Sequence, residues 1–454
     1  MSGSFQQITL DGGLQADLFL LRYDEDGRLL SPRAEEELKQ RLPGVTDVYL
    51  FSHGWNNVFD QALERYRSFV NGYMEQRRAF AIPTPQGYRP LLIGIIWPST
   101  SFVFPWEAGP EIAAAPDPEG REAAEVQEML ELVAKSLPGA KRPELTERID
   151  GHTAIDRDDA LNLAGLLLGT LRAQVDPDDG SRAPTAEEFL NTLQASAAGG
   201  HPVPTDTDRI GLVPDEGNED GAPPVGGAPD VAGGLSFDPR ILLRTATVWK
   251  MKARAGDIGA HGVSPLVGHI LQQGGPRLHL IGHSFGARVL LSALATAAPA
   301  HKAHSMLLLQ PAVNRWCFAG NVAGTGRKGG YHAVPDLLER PLLTTLSEHD
   351  EPLRTFFHLA MRGSSQLGEP DIAAFGNTDL YGALGGYGPA EEAGRTAEAD
   401  AIFPDKGRYD LQSGARIIAV DGSVEFEGKP AIPGHGEVSS PVTWWALHCL
   451  TRPD

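Results

Sequence analysis

The sequence predicts an α/β protein: a mostly parallel central sheet flanked by helices, with an inserted cap region. Three observations predict it. Seven short runs rich in Val, Ile, Leu and Phe recur along the chain. They are near-continuously apolar, as strands buried on both faces are, and helical patterns separate several of them. The alternation breaks between the third and fourth runs, from Pro105 to Arg240, and then resumes.

"DLFLLRY" (17–23) and "DVYLFSH" (47–53) read as the first two strands, and "DQALERYRSFVNGYMEQRR" (60–78) has apolar residues at helical spacing. "LLIGIIW" (91–97) is the third strand. Within the insertion, "EAAEVQEMLELVAKSL" (122–137) and "DDALNLAGLLLGTLRAQ" (158–174) read as amphipathic helices. The segment 201–234 is too poor in large apolar residues to build a core, so a disordered acidic loop is expected over about 200–235. Beyond it come "LHLIG" (278–282), a helix at "ARVLLSALATAA" (287–298), then "SMLLLQ" (305–310), "PLLTTLS" (341–347) and "ARIIAV" (415–420). The Gly-rich stretch from Arg362 to Gly414 reads as a surface excursion. The expected organisation is therefore one core made of 1–105 and 241–454, interrupted by an acidic helical insertion at 106–240.

Hydrophobic residues make up 41% of the 454 and charged residues 22%, the balance of a soluble globular chain. The net charge of −20 is concentrated in 107–240, which holds 27 of the 59 acidic residues and 10 of the 39 basic ones. No basic stripe is present to neutralise phosphates, which argues against nucleic acid as a partner. No apolar run approaches the roughly 20 residues that span a bilayer. The start "MSGSFQQITLDG" lacks the basic and apolar regions of a secretory signal, and a cytoplasmic location is the expectation. Two cysteines, Cys317 and Cys449, make no disulfide framework. No Cys/His cluster has metal-ligand spacing and no Gly-rich phosphate loop occurs, so neither a metal nor an organic cofactor is expected.

The chemistry concentrates at "LHLIGHSFGARVL" (278–290). Strand, sharp turn and helix meet at Gly-x-Ser-x-Gly. Such a turn lifts a serine hydroxyl off the sheet edge, and its glycines are needed where backbone comes too close for a Cβ. The helix behind Ser284 presents its N-terminus, with N–H groups and a positive dipole end, to a developing oxyanion. Ser284 is the candidate nucleophile; the bland alternative is a tight strand-to-helix turn.

With these residues the chain resembles the α/β-hydrolase superfamily in its serine esterase and lipase branch. "VYLFSHGWNNVFDQALERY" is similar to the strand, His-Gly loop and helix of that family, and "LLIGIIWPS" to the strand that follows. The two blocks together resemble a bacterial group with His-Gly-x-Asn-Asn and Trp-Pro-Ser. The similarity covers roughly 47–104 and 241–350, more loosely to the end, and leaves out the insertion. It implies two oxyanion donors, the backbone N–H of Phe285 and that of Trp55, with Gly54 permitting the approach. Gly54, His53 and His283 are carried as substrate-contact candidates, although His53 reads more simply as a brace for its loop and His283 as a packing or hydrogen-bonding neighbour. Asn56 and Asn57 suit helix caps.

The resemblance also implies the chain order nucleophile, acid, histidine. Asp350, in the polar loop after "PLLTTLS", is the candidate acid, with Glu348 beside it and Asp371 or Asp379 further off. Asp350 also suits an N-cap for "EPLRTFFHLAM". His435, in the Gly-His-Gly loop after the last strand, is the candidate base; His448 reads as a packed helix residue and His358 follows Asp350 too closely. Ester hydrolysis of a small molecule is the implied activity; the Leu-rich helix at 161–171 suggests a roof over an apolar acyl group, although simple packing against the core is the commoner use of such a helix. Amide or peptide hydrolysis by the same triad and a non-catalytic binding role on the same fold are the alternatives.

Overall fold

The computed structural model describes residues 5–9, 15–54, 59–99, 118–135, 137–149, 154–170, 185–191, 237–272, 274–322, 326, 328–357, 382–390, 394–404 and 406–452. The chain forms two compact units, one of residues 1–100, 173–183 and 248–454, the other of 101–172 and 184–247.

The first unit is built on nine strands: β1 (Phe5–Thr9), β2 (Gln15–Arg22), β3 (Asp47–Ser52), β4 (Pro90–Ile96), β5 (Arg277–His283), β6 (Ser305–Leu309), β7 (Leu342–Leu346), β8 (Thr396–Asp400) and β9 (Ile417–Asp421). Their order across the sheet is β1-β2-β4-β3-β5-β6-β7-β9-β8. Only β1–β2 is antiparallel; every other neighbouring pair in the sheet is parallel. The central strands β3, β4 and β6 are buried at every residue, which is why they read as unbroken apolar runs.

Helices cover both faces. Helix α1 (Pro32–Arg41) packs on β2. Helix α2 (Phe59–Ala79) and the last helix, α9 (Pro441–Thr451), lie on one face, where Tyr66, Phe69, Trp445 and Leu450 meet Leu18, Phe51, Leu92 and Leu307. The other face holds α7 (Ser264–Gln272) and α8 (Phe285–Ala297). Residues Phe285 to Leu294 of α8 are buried without exception, so this helix is apolar nearly all round. A π-helical turn, Ile258–Val263, links α7 to the preceding α6 (Pro239–Asp257) and packs on α8.

All seven expected strands are present, their ends displaced by one or two residues. β1 and β8 were not expected. Both are edge strands with polar sequences, FQQIT and TAEAD, and an edge strand need not be apolar on two faces. The stretch 362–414 is therefore not wholly a surface excursion: β8 completes the sheet, and a helical turn at Leu384–Tyr387 buries Leu384, Gly385 and Gly386.

The second unit contains α3 (Pro118–Lys135), α4 (Arg142–Ile149) and α5 (Arg157–Leu168). Asp156 caps α5 by accepting the Asp159 N–H. Leu163, Leu166 and Leu167 of α5 are buried with Met129, Val133 and Leu145 in its interior. The unit runs on to residue 247, inside α6, rather than ending at 240. The expected loop over 200–235 lies outside the described residues. Among the described residues no helix is long and apolar enough to cross a membrane.

Candidate active site

The carboxyl ends of the parallel strands carry every element of the site. The register aligns Ser52 of β3 with Gly282 of β5, Gly282 with Leu308 of β6, and Leu308 with Thr344 of β7. Two residues further along, Gly54, Ser284 and Gln310 emerge side by side. This is the sheet edge where α/β proteins place their ligands.

Ser284 occupies the turn between β5 and α8 at φ 54° and ψ −127°, a left-handed backbone that costs a side-chain-bearing residue on the order of 1–3 kcal/mol. Its N–H donates to the Leu309 carbonyl, and its own carbonyl accepts the Ala287 N–H. The glycines around it are steric necessities. A Cβ on Gly286 would lie 2.2 Å from the Ser52 carbonyl oxygen, and one on Gly282 would lie 2.6 Å from Ala287 Cα. The strained backbone at Ser284, with glycine two residues to either side, is the geometry of a sharp strand-to-helix turn.

His435 and Asp350 complete a hydrogen-bonded chain. Ser284 Oγ lies 2.9 Å from His435 Nε2, and His435 Nδ1 lies 2.8 Å from Asp350 Oδ2. All three are nearly inaccessible, Ser284 3%, His435 6% and Asp350 0% exposed. A carboxylate only accepts, so Nδ1 carries the proton and Nε2 is left to receive the one on Oγ. Asp350 is also the helix cap its position suggested. Its Oδ1 accepts the Leu353 N–H at 3.0 Å, while its backbone carbonyl accepts the Arg354 N–H.

Two further histidines brace the site. His53 accepts the Trp97 indole N–H on its carbonyl and donates its own N–H to Tyr66 Oη, which donates in turn to the Ile95 carbonyl. Its Nδ1–H donates to the Gly54 carbonyl at 2.7 Å, and its ring stacks on Trp97. Burial holds this imidazole neutral, pushing its pKa down to about 4. His283 donates Nε2–H to the His435 carbonyl at 2.8 Å, and the two rings lie 5.0 Å apart. Burial first, then the charges of His435 and Arg65, hold it well below the usual histidine range. Gly54 lies against Ser284, since a Cβ there would be 2.6 Å from Ser284 Cβ.

Phe285 is the first residue of α8, so its N–H sits at the helix N-terminus immediately after Ser284. Trp55, Asn56 and Asn57 lie outside the described residues, as do Asp371, Asp379 and His358. Glu348 is largely exposed and lies 3.8 Å from the His349 ring, while the carboxylate hydrogen-bonded to His435 is that of Asp350. His448 is packed in α9 against Trp445, its pKa pushed down to about 4 by burial.

One residue at the site went unrecognised in the sequence. Gln310 directly follows β6, at φ 41°, and is 0% exposed. Its Nε2 donates to Asp350 Oδ2 at 2.9 Å and to the Gly385 carbonyl at 3.1 Å. Its place directly after a strand that pairs with β5 is the signal that could have found it.

Among the described residues no group of His, Cys, Asp and Glu is arranged to hold a metal ion. Comparison with protein-family models, curated proteins and solved structures gives no match.

Proposed function

We propose that the chain is a serine hydrolase of the α/β-hydrolase superfamily that cleaves carboxylic esters. The observation that carries this reading is the hydrogen-bonded chain from Ser284 through His435 to Asp350, set on a strained strand-to-helix turn. Serine alone is a poor nucleophile. An imidazole that accepts its proton, held in one tautomer by a buried carboxylate, is what activates it.

His435 Nε2 takes the Ser284 Oγ proton as Oγ bonds to the ester carbonyl carbon. The charge that develops on the carbonyl oxygen is received by the Phe285 N–H and, as the resemblance implies, by that of Trp55. Removing one such donor costs about 3–4 kcal/mol of barrier stabilisation in comparable sites. The acyl–oxygen bond then breaks, and His435 gives its proton to the departing alcohol. Water attacks the acyl-enzyme, leaves a proton on His435 and releases the acid; that proton returns to Ser284. Each step uses only these side chains, the backbone donors and water. We propose an apolar acyl group as the substrate class.

The test is hydrolysis of p-nitrophenyl esters, acetate to palmitate, by the wild type and Ser284→Ala. Turnover that the substitution abolishes is expected. Turnover that survives it would mean another nucleophile, and a wild type without turnover would overturn the esterase reading.

A further inference from the structure

We infer that Gln310 is a positioning residue for the triad, fixing the Asp350 carboxylate in the orientation that holds His435. The inference rests on the hydrolase reading and adds a residue to it. Asp350 Oδ2 receives two donors, His435 Nδ1–H at 2.8 Å and Gln310 Nε2–H at 2.9 Å. The direction of the Gln310 amide is not a free choice. Thr345 Oγ accepts the Gln310 backbone N–H at 2.9 Å, and its hydroxyl proton donates to Gln310 Oε1 at 2.8 Å. With Oε1 occupied by a donor, the NH₂ end must face Asp350 and the Gly385 carbonyl, an acceptor that an amide oxygen could not approach.

The backbone supports the same reading. Gln310 has a left-handed φ of 41°, where glycine would be at ease, yet it carries a long side chain with no solvent exposure. Thr345 on β7 and Gly385 in the turn at 384–387 hold it from separate segments of the chain. The carboxylate is thus restrained on Oδ1 by the Leu353 N–H and on Oδ2 by Gln310, with His435 Nδ1–H as the second donor on Oδ2. Gln310 does not reach the reacting atoms; it acts through Asp350.

The experiment follows Ser284 labelling by a fluorophosphonate–rhodamine probe under single-turnover conditions, resolved into kinact and KI. In this reaction the Oγ–P bond forms, the P–F bond breaks, fluoride leaves and the Oγ proton passes to His435. Gln310→Met keeps the length and removes the donor. It is expected to lower kinact about tenfold with KI unchanged, since a hydrogen bond to a charged group is lost. In the Asp350→Asn background the same substitution is expected to change kinact less than about twofold, because its effect passes through the carboxylate. Thr345→Val, isosteric on a buried strand, loosens the amide without removing it and is expected to lower kinact in the same direction; it replaces Gln310→Met if that variant does not melt cooperatively. An unchanged kinact, or an equal loss in both backgrounds, overturns the inference while leaving the hydrolase reading intact. A wild type that the probe does not label overturns both.

Discussion

Asp350 uses its two carboxylate oxygens for different purposes, and two substitutions separate them. Asp350→Asn keeps an oxygen for the Leu353 N–H but faces His435 Nδ1 with an amide. The wrong imidazole tautomer then results, and turnover on a p-nitrophenyl ester is expected to fall on the order of 10⁴-fold. Asp350→Ala removes the cap as well, and its melting curve should report a further loss of about 1 kcal/mol. His283 is a milder case. Its Nε2–H holds the carbonyl of His435, the residue proposed as base. His283→Phe keeps the ring and loses that tether, so ester turnover should drop about tenfold, in line with one buried hydrogen bond. If His283→Phe turned over like the wild type, the bracing role assigned to that ring would be wrong.

At the scale of elements, the turn between β5 and α8 has no spare volume. Gly286→Ala would force a methyl to within 2.2 Å of the Ser52 carbonyl and 2.4 Å of the His53 carbonyl, both backbone atoms. Denaturant unfolding should show a loss of about 1–3 kcal/mol or more, accompanied by lost activity because β3 and α8 must part. This turn is also where the sequence spoke most plainly, since two glycines flanking a serine between a strand and a helix have few other uses. Asp350 and His435 were legible through their place after β7 and β9. Gln310 was not, because its role comes from a neighbour, Thr345, that is only beside it once β6 and β7 have paired. β1 and β8 escaped for a different reason: edge strands lack the double burial that writes an apolar run. The inner strands, buried on both faces, could be read within a residue or two.

For the whole molecule, several buried groups tie stability to pH. His53 and His279 are fully enclosed, and burial pushes each pKa down to about 4. His279 bridges Asp47 on β3 and Ser305 on β6, 3.0 and 2.8 Å away. Burial works against the charge on Asp47, but His279, Thr46 and Arg277 hold it below the usual carboxylate range. Between about pH 4 and the unfolded histidine value near 6.5, the unfolded chain binds protons that the folded chain refuses. Stability is therefore complete above that window and falls as pH drops through it, by about 1.4 kcal/mol per pH unit for each such histidine. Melting temperatures should hold from pH 7.5 to about 6.5 and decline from there to pH 4.5; a flat profile throughout would mean these imidazoles are not held neutral. The strand order has one more result, which concerns time rather than stability. β3 pairs with β5 although Asp47 and its partner Arg277 stand about 230 residues apart in the chain. Closing so long a loop must precede any reward from the pairing, and chains dominated by such contacts fold slowly. The refolding rate should respond to Leu50→Ala and Leu280→Ala in that central pair, and far less to substitutions in the β1–β2 pair at the sheet edge, so the strand that leads into Ser284 sets how long a new molecule takes to fold.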